Sequence, residues 1–245
     1  MKDPKIRQKL LAAGGSWFLF DIIAYGLGLL APYVIDAISA DDDNVSSDFN
    51  VQQICSKQMT ALVLSVGATI VSIFLLPPLG LKRFQTIAFF IVSMIFLVTA
   101  SSFTTLRRSD PGGLFALYCL CSMSLNFGLG ITTFAMPAAL FPQNIRSTFN
   151  GISCAMGKTG AIVGAYSFFS IAQATSYEAV LGICAVVAVM GACLTHFCAD
   201  EKEIAHNSGS TPAVTAGDAS DGDRELSIST QGSALDHSKL KVFGP

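Results

Sequence analysis

Long apolar runs alternate with short polar stretches from residue 10 to residue 199, and there the alternation stops. Six runs reach spanning length, at about 10–35, 58–79, 84–104, 113–140, 148–172 and 177–199. Each approaches the ~20 residues that a helix needs to cross a ~30 Å hydrocarbon core. The pattern predicts an all-α membrane protein, a bundle of six transmembrane helices. The fourth run is long enough to tilt, or to be interrupted at Pro137, whose ring cannot continue the hydrogen-bond ladder. Glycines recur inside the runs (Gly14, Gly15, Gly26 and Gly28, then Gly151, Gly157, Gly160 and Gly164), which suits close backbone approach in lipid. Asp200 to Pro245 is rich in Ser, Thr, Gly, Ala and Asp, with almost no aromatic residues. Such a segment cannot bury enough apolar surface to fold by itself. Residues 1–199 are therefore expected to form the bundle and residues 200–245 a disordered tail.

Composition agrees. Half the residues (51%) are apolar, 13% are charged and the mean hydropathy is +0.56. A soluble domain of this length needs more charge to cover its surface. The basic start, MKDPKIRQK, superficially looks like a signal peptide. The apolar run after it is too long, holds Asp21 and lacks a small-residue cleavage site, so it reads as a retained spanning helix. Loop charges then orient the bundle. With the amino terminus in the cytoplasm, inside segments hold Lys2, Lys5, Arg7, Lys9, Lys82, Arg83 and Arg146. Outside loops hold only Lys57, Arg107 and Arg108, beside Asp41, Asp42, Asp43 and Asp48. The excess of basic residues inside favours both termini in the cytoplasm. Asn44-Val45-Ser46 in the outer loop is a glycosylation sequon, a triplet that chance often produces.

Several chemistries find no support. Cys119, Cys121, Cys154, Cys184 and Cys193 lie in apolar runs and read as small core residues. The histidines (His196, His206, His237) come late in the chain without ligand spacing. No glycine-rich phosphate loop follows a strand, and no nucleophile–base motif is visible, so an enzyme is not expected. No metal, cofactor or nucleic-acid partner is expected either.

Two charges stand out because they interrupt apolar runs. Asp21 lies near the middle of the first run and Lys158 near the middle of the fifth. On a helix Trp17, Asp21 and Tyr25 recur every four residues, drift about 40° per step and line one face over roughly 12 Å. A carboxylate at bilayer depth costs on the order of 2.5–3.5 kcal/mol, so it persists where it faces a bundle interior, water or a partner charge. One reading makes Asp21 and Lys158 a structural ion pair. The other makes them a substrate site, in which the lysine attracts an anion and the aspartate exchanges a proton. Trp17 and Tyr25 add an indole donor and a phenol able to grip an oxyanion. Two basic turns, Leu76 to Arg83 and Phe141 to Ser147, read as topology signals between neighbouring helices.

These residues also carry a resemblance. The chain resembles the carboxy-terminal half of phosphate:proton symporters of the major facilitator superfamily. The matching segments are Trp17 to Tyr25, Asn126-Phe127-Gly128 ahead of Thr132-Thr133-Phe134, Phe141-Pro142 with Arg146, and Asn150 to Ser153 running into Gly157 to Ile162. The likeness extends over about residues 10–199 and is specific at 17–25 and 124–164. It implies one six-helix half of a facilitator fold, with Trp17, Asp21, Tyr25, Lys158 and Asn126 around phosphate. It also implies protons as the coupling ion, a plasma-membrane location, and inorganic phosphate and the lipid bilayer as partners. A missing amino-terminal half or a second copy would supply the opposite wall, so the chain is expected to be a fragment or truncated form.

The sequence departs from that family in three places. Gly130 stands where a second asparagine is usual, Ala138-Ala139 follow Pro137 where the family has an acidic latch, and Pro77 to Leu81 replace an Asp-x-x-Gly-Arg turn. Two alternatives remain beside phosphate transport. One is a porter of another anion or organic solute, since the fold does not fix the substrate. The other is a non-transporting phosphate sensor or regulatory half-transporter.

Overall fold

The computed structural model describes residues 4–39 and 51–209. The acidic loop residues Asp41, Asp42, Asp43 and Asp48, the Asn44 sequon and the tail from residue 210 lie outside the described residues. Among the described residues the chain is helical: α1 (Pro4–Leu10), α2 (Ser16–Ser39), α3 (Val51–Leu79), α4 (Leu81–Ser109), α5 (Pro111–Ser124), α6 (Gly130–Leu140), α7 (Gln143–Ala174), α8 (Tyr177–Cys198) and α9 (Glu201–Gly209). A π-helical turn, Leu11–Gly15, joins α1 to α2, and a second irregular turn, Leu125–Leu129, joins α5 to α6. Among the described residues, five segments are long and apolar enough to cross a membrane: Pro4–Leu29, Ile54–Leu79, Leu81–Ser109, Pro111–Leu140 and Tyr177–Cys198. The remaining expected span, the fifth run at 148–172, corresponds to α7, which at 32 residues has ample length. Its polar residues, Lys158 and Asn150 among them, lower its hydropathy below that of the other five.

The joints are short because single residues make them. Gly80 alone separates α3 from α4, at φ 76°, a backbone conformation that suits glycine. Pro77 and Pro78, expected in a tight basic turn between the two helices, instead sit in the last turn of α3. Asp110 ends α4 and begins α5, its carboxylate accepting the Gly113 N–H at 3.0 Å, with Pro111 in the first helical turn. Between α6 and α7, the Arg146 guanidinium donates to the Phe141 carbonyl (3.2 Å) and the Phe141 and Phe149 rings stack at 4.5 Å.

The fourth span is interrupted, but not at Pro137. That proline lies within α6, close to its end. The break falls at Phe127 and Gly128, where Gly128 takes φ 85° and ψ −55°. Here the backbone leaves the helix, and an N–H freed in an apolar interior needs a partner. The Ser72 hydroxyl of α3 supplies one, accepting the Gly128 N–H at 2.9 Å. A Cβ at Gly128 would come within 2.7 Å of the Ala88 methyl, so glycine serves both the backbone angle and the space.

Two helix pairs organise the bundle. In the first, α7 presents Gly157, Gly160 and Gly164 to α2. A Cβ at Gly160 would lie 2.2 Å from the Phe18 carbonyl oxygen, and one at Gly164 2.1 Å from that of Ile22. Backbone thus meets backbone, the approach that small residues permit in lipid. In the second pair, α4 lies along α8: Phe89 covers Gly191, the Ser93 hydroxyl donates to the Ala185 carbonyl (3.0 Å), and Gln85 donates to Thr195 (3.2 Å). Large apolar residues such as Val63, Phe74, Phe90 and Val186 face outward, as hydrocarbon contact requires.

Within the segment expected as a disordered tail, Glu201–Gly209 is helical. Helix α9 turns beneath the bundle, with Ile204 packed on the cluster of Ala12, Ala13, Met136, Leu140 and Phe141. Glu203 pairs with Lys9 at 2.8 Å, Glu201 with Arg83 at 3.2 Å, and Asn207 donates to the Ala139 carbonyl at 3.0 Å. A neighbouring surface thus supplies the apolar burial that the segment's own composition lacks.

Two stability outcomes follow from this packing. Gly160→Ala should cost about 1–3 kcal/mol by overpacking against the α2 backbone, whereas Gly151→Ala, in mid-helix with nothing within 4 Å of the added Cβ, should stabilise by up to about 1 kcal/mol; denaturant midpoints of the purified chain in detergent compare them. Ser72→Ala should cost about 1–3 kcal/mol by leaving the Gly128 N–H unpaired, and an unchanged midpoint would mean that another group or water replaces the hydroxyl.

Candidate functional site

The face predicted from the sequence forms on α2. Trp17, Asp21 and Tyr25 lie on consecutive turns of that helix, and Lys158 comes to them from α7. Its position follows from the glycines beside it. Gly157 lies under the Trp17 indole, where a Cβ would meet Cδ1 at 2.6 Å and Nε1 at 2.9 Å. The next residue, Lys158, therefore emerges at the level of Asp21.

The four groups differ sharply in exposure. Asp21 is 2% exposed and Trp17 is equally buried, whereas the side chain of Lys158 is 55% exposed and Tyr25 is open. The Lys158 ammonium donates to the Tyr25 hydroxyl at 2.7 Å, sits 4.6 Å from the centre of its ring, and lies 3.5 Å from Asp21 Oδ2. The Trp17 indole N–H is a hydrogen-bonding neighbour of the same carboxylate. Asp21 Oδ2 itself accepts no hydrogen bond from any described residue. The site is thus an ion pair with one sealed end and one open end, and with acceptor capacity left at the sealed carboxylate.

Trp17 does not reach the open side. It is packed edge-on against Phe134 of α6, with ring centres 4.5 Å apart, and it supports Asp21 from below. Phe134 was visible only as part of a motif; its place against Trp17 depends on how α6 leaves the break at Gly128. Asn126 lies on that break. Its amide N–H donates to the Ser122 carbonyl at 3.0 Å, and its Oδ1 is directed toward Gly130, 3.7 Å from where a Cβ would stand. Among the described residues it makes no hydrogen bond to Trp17, Asp21, Tyr25 or Lys158. The structure therefore joins four of the five expected residues and leaves Asn126 tied to its own helix. Beyond Lys158, the exposed face of α7 continues through Ile162 and Tyr166, the latter 80% exposed. Among the described residues no cluster of His, Cys, Asp and Glu could hold a metal ion.

Comparison with known proteins identifies the family. Residues 43–205 match the family model described as sugar (and other) transporter. An inorganic phosphate transporter of Toxoplasma gondii is 30% identical over 193 residues, which cover 79% of this chain and 33% of that protein. An inorganic phosphate transporter of Saccharomyces cerevisiae is 35% identical over 164 residues, 65% of this chain and 27% of the relative. A low affinity inorganic phosphate transporter of Lotus japonicus is 30% identical over 170 residues, 68% of this chain and 32% of the relative. The chain spans about a third of the length of these relatives. With its family match and its five apolar spans, this chain is an integral membrane protein and belongs to the sugar (and other) transporter family.

Proposed function

We propose that the chain forms one wall of a proton-coupled phosphate transport path in the plasma membrane, with both termini cytoplasmic. The observation that carries this reading is the half-exposed Lys158 ammonium, 3.5 Å from a buried carboxylate oxygen that accepts no hydrogen bond. Here the cation is left where an anion from the open side reaches it.

The chemistry follows from the donors. An arriving dihydrogen phosphate places its charged oxygens on the Lys158 ammonium and the Tyr25 hydroxyl. Its P–OH group stays on the open side, and Asp21, sealed behind the ammonium, acts on the anion through Lys158. As the ammonium is shared with the anion, it neutralises Asp21 less, and proton uptake by the carboxylate becomes easier. Substrate and proton are thereby coupled through one lysine. Trp17 holds Asp21 in place and does not touch phosphate. The relatives' names support phosphate as the substrate. Alternating access in transporters of this architecture is a rocking of one helical bundle against another around a midplane site. The opposite wall is a second bundle, from an amino-terminal half or a second copy.

Labelled phosphate uptake tests the site, in liposomes holding the chain with a complementing amino-terminal half. Lys158→Ala should lower uptake per folded protein by at least about tenfold, equivalent to about 1.4 kcal/mol. Asp21→Asn should keep phosphate binding but lose stimulation by a proton gradient, because an amide hydrogen-bonds without titrating. If the pair is structural, each single change leaves the other group unpaired. Recovery of uptake in the double change Asp21→Asn with Lys158→Ala would then overturn the assignment. Orientation has its own test: cysteines placed in the 40–50 loop and in the 210–245 tail should label from opposite sides of intact cells, and labelling from one side would exclude both termini being cytoplasmic.

A further inference from the structure

At the end of the bundle opposite α9, a polar cavity of about 300 Å³ opens between α4 and α8, lined by Thr104, Arg107, Arg108 and Glu178. Thr104, Arg107 and Arg108 stand at i, i+3 and i+4 on the last turns of α4, so they share one face. Glu178, in the first turn of α8, accepts a hydrogen bond from the Thr104 hydroxyl and feels the charge of Arg107. The neighbouring Phe103 and Tyr177 rings, with centres 5.9 Å apart, join the two helix ends. The remaining polar groups of these two helix ends are engaged elsewhere: Asp110 accepts from Gly113 and Ser176 from Ala179. Among the described residues neither arginine forms a salt bridge. Two guanidinium groups therefore face one carboxylate, and the cavity carries a net positive charge.

Its depth along the bundle is as informative as its charge. At 29 residues α4 is about 44 Å long, more than the ~30 Å hydrocarbon core, so its ends reach the headgroup layers. The outward stripe of α4, Phe90, Met94, Leu97 and Val98, leads by the same helical spacing up to Ser101, Thr104 and Arg108. An apolar track along the helix thus ends at a cationic cavity at the level of lipid phosphates. Arginine suits such a place, because its planar fork matches the oxygens of a phosphate group in pairs.

We propose that this cavity binds a phosphate oxyanion, presented by a phospholipid headgroup or by a free phosphate ion, with Arg107 and Arg108 as its donors. Glu178 sets the affinity by holding Thr104 and opposing part of the positive charge. The site is separate from Lys158 and does not rest on the transport reading.

Native mass spectrometry of the purified chain in detergent tests it, with phosphatidylglycerol titrated in and inorganic phosphate as competitor. The wild type should retain a phosphatidylglycerol adduct. R107Q/R108Q should lose it by about tenfold or more, as expected for removing charge-assisted bonds to phosphate, and K82Q/R83Q at the other end should not. Both chains keep Lys158, so the difference reads this cavity alone. An adduct that inorganic phosphate displaces identifies the free ion as a ligand too, and one that resists displacement identifies the lipid. Equal adducts on folded wild type and R107Q/R108Q would overturn the proposal. Should that variant fail by circular dichroism or gel filtration, E178Q decides instead: it should bind more tightly, and unchanged or weaker binding rejects the site.

Discussion

The close approach of α7 to α2 is the constraint on which the site depends. Gly160 and Gly164 let the two backbones meet at distances no side chain would permit. That approach places Gly157 beneath Trp17 and brings Lys158 within 3.5 Å of Asp21. One methyl group in the contact would push the helices apart and open the ion pair. In lipid, where apolar side chains gain nothing by leaving apolar solvent, such packing contacts are what hold helices together. The same contact that stabilises the bundle therefore positions its charges.

A second constraint shapes the surroundings of the pair. The chain leaves helical geometry at Phe127 and Gly128, and a serine on another helix satisfies the freed N–H. The break sets the direction of α6, which carries Phe134 onto the edge of Trp17. Trp17 in turn borders the buried carboxylate. A chain of contacts thus runs from the buried Ser72 through Gly128 and the more exposed Phe134 to Trp17 and Asp21.

The two ends of the bundle are finished differently. At one end α9 lays Glu201 and Glu203 against Arg83 and Lys9, and Asn207 against the Ala139 carbonyl. Ala138 and Ala139 leave that end of α6 without an acidic side chain, and the carboxylates of α9 occupy the same end of the bundle. At the other end Arg107 and Arg108 face a cavity with only Glu178 to oppose them. Exposed ion pairs such as Arg83–Glu201 add little stability. The apolar seat of Ile204 does more to hold α9 in place.

The sequence by itself determined the helical class, the spans and the register of Trp17, Asp21 and Tyr25, because these depend on periodicity within one segment. It also marked Lys158, since a charge inside an apolar run is visible without any partner. What it left open was which helices meet. The Lys158–Tyr25 hydrogen bond joins residues 133 positions apart, and the contact that makes it runs through glycines, which have no side chain to announce it. Pro137 drew attention as the interruption of the fourth span because its covalent structure is legible. The true break at Gly128 needed a hydroxyl from α3, and only the tertiary structure could provide it. For the same reason residues 201–209 looked unable to fold alone yet find their apolar partner on the bundle. Local propensity is written in neighbours along the chain, whereas pairing of distant surfaces is decided by shape and by which buried polar groups find partners.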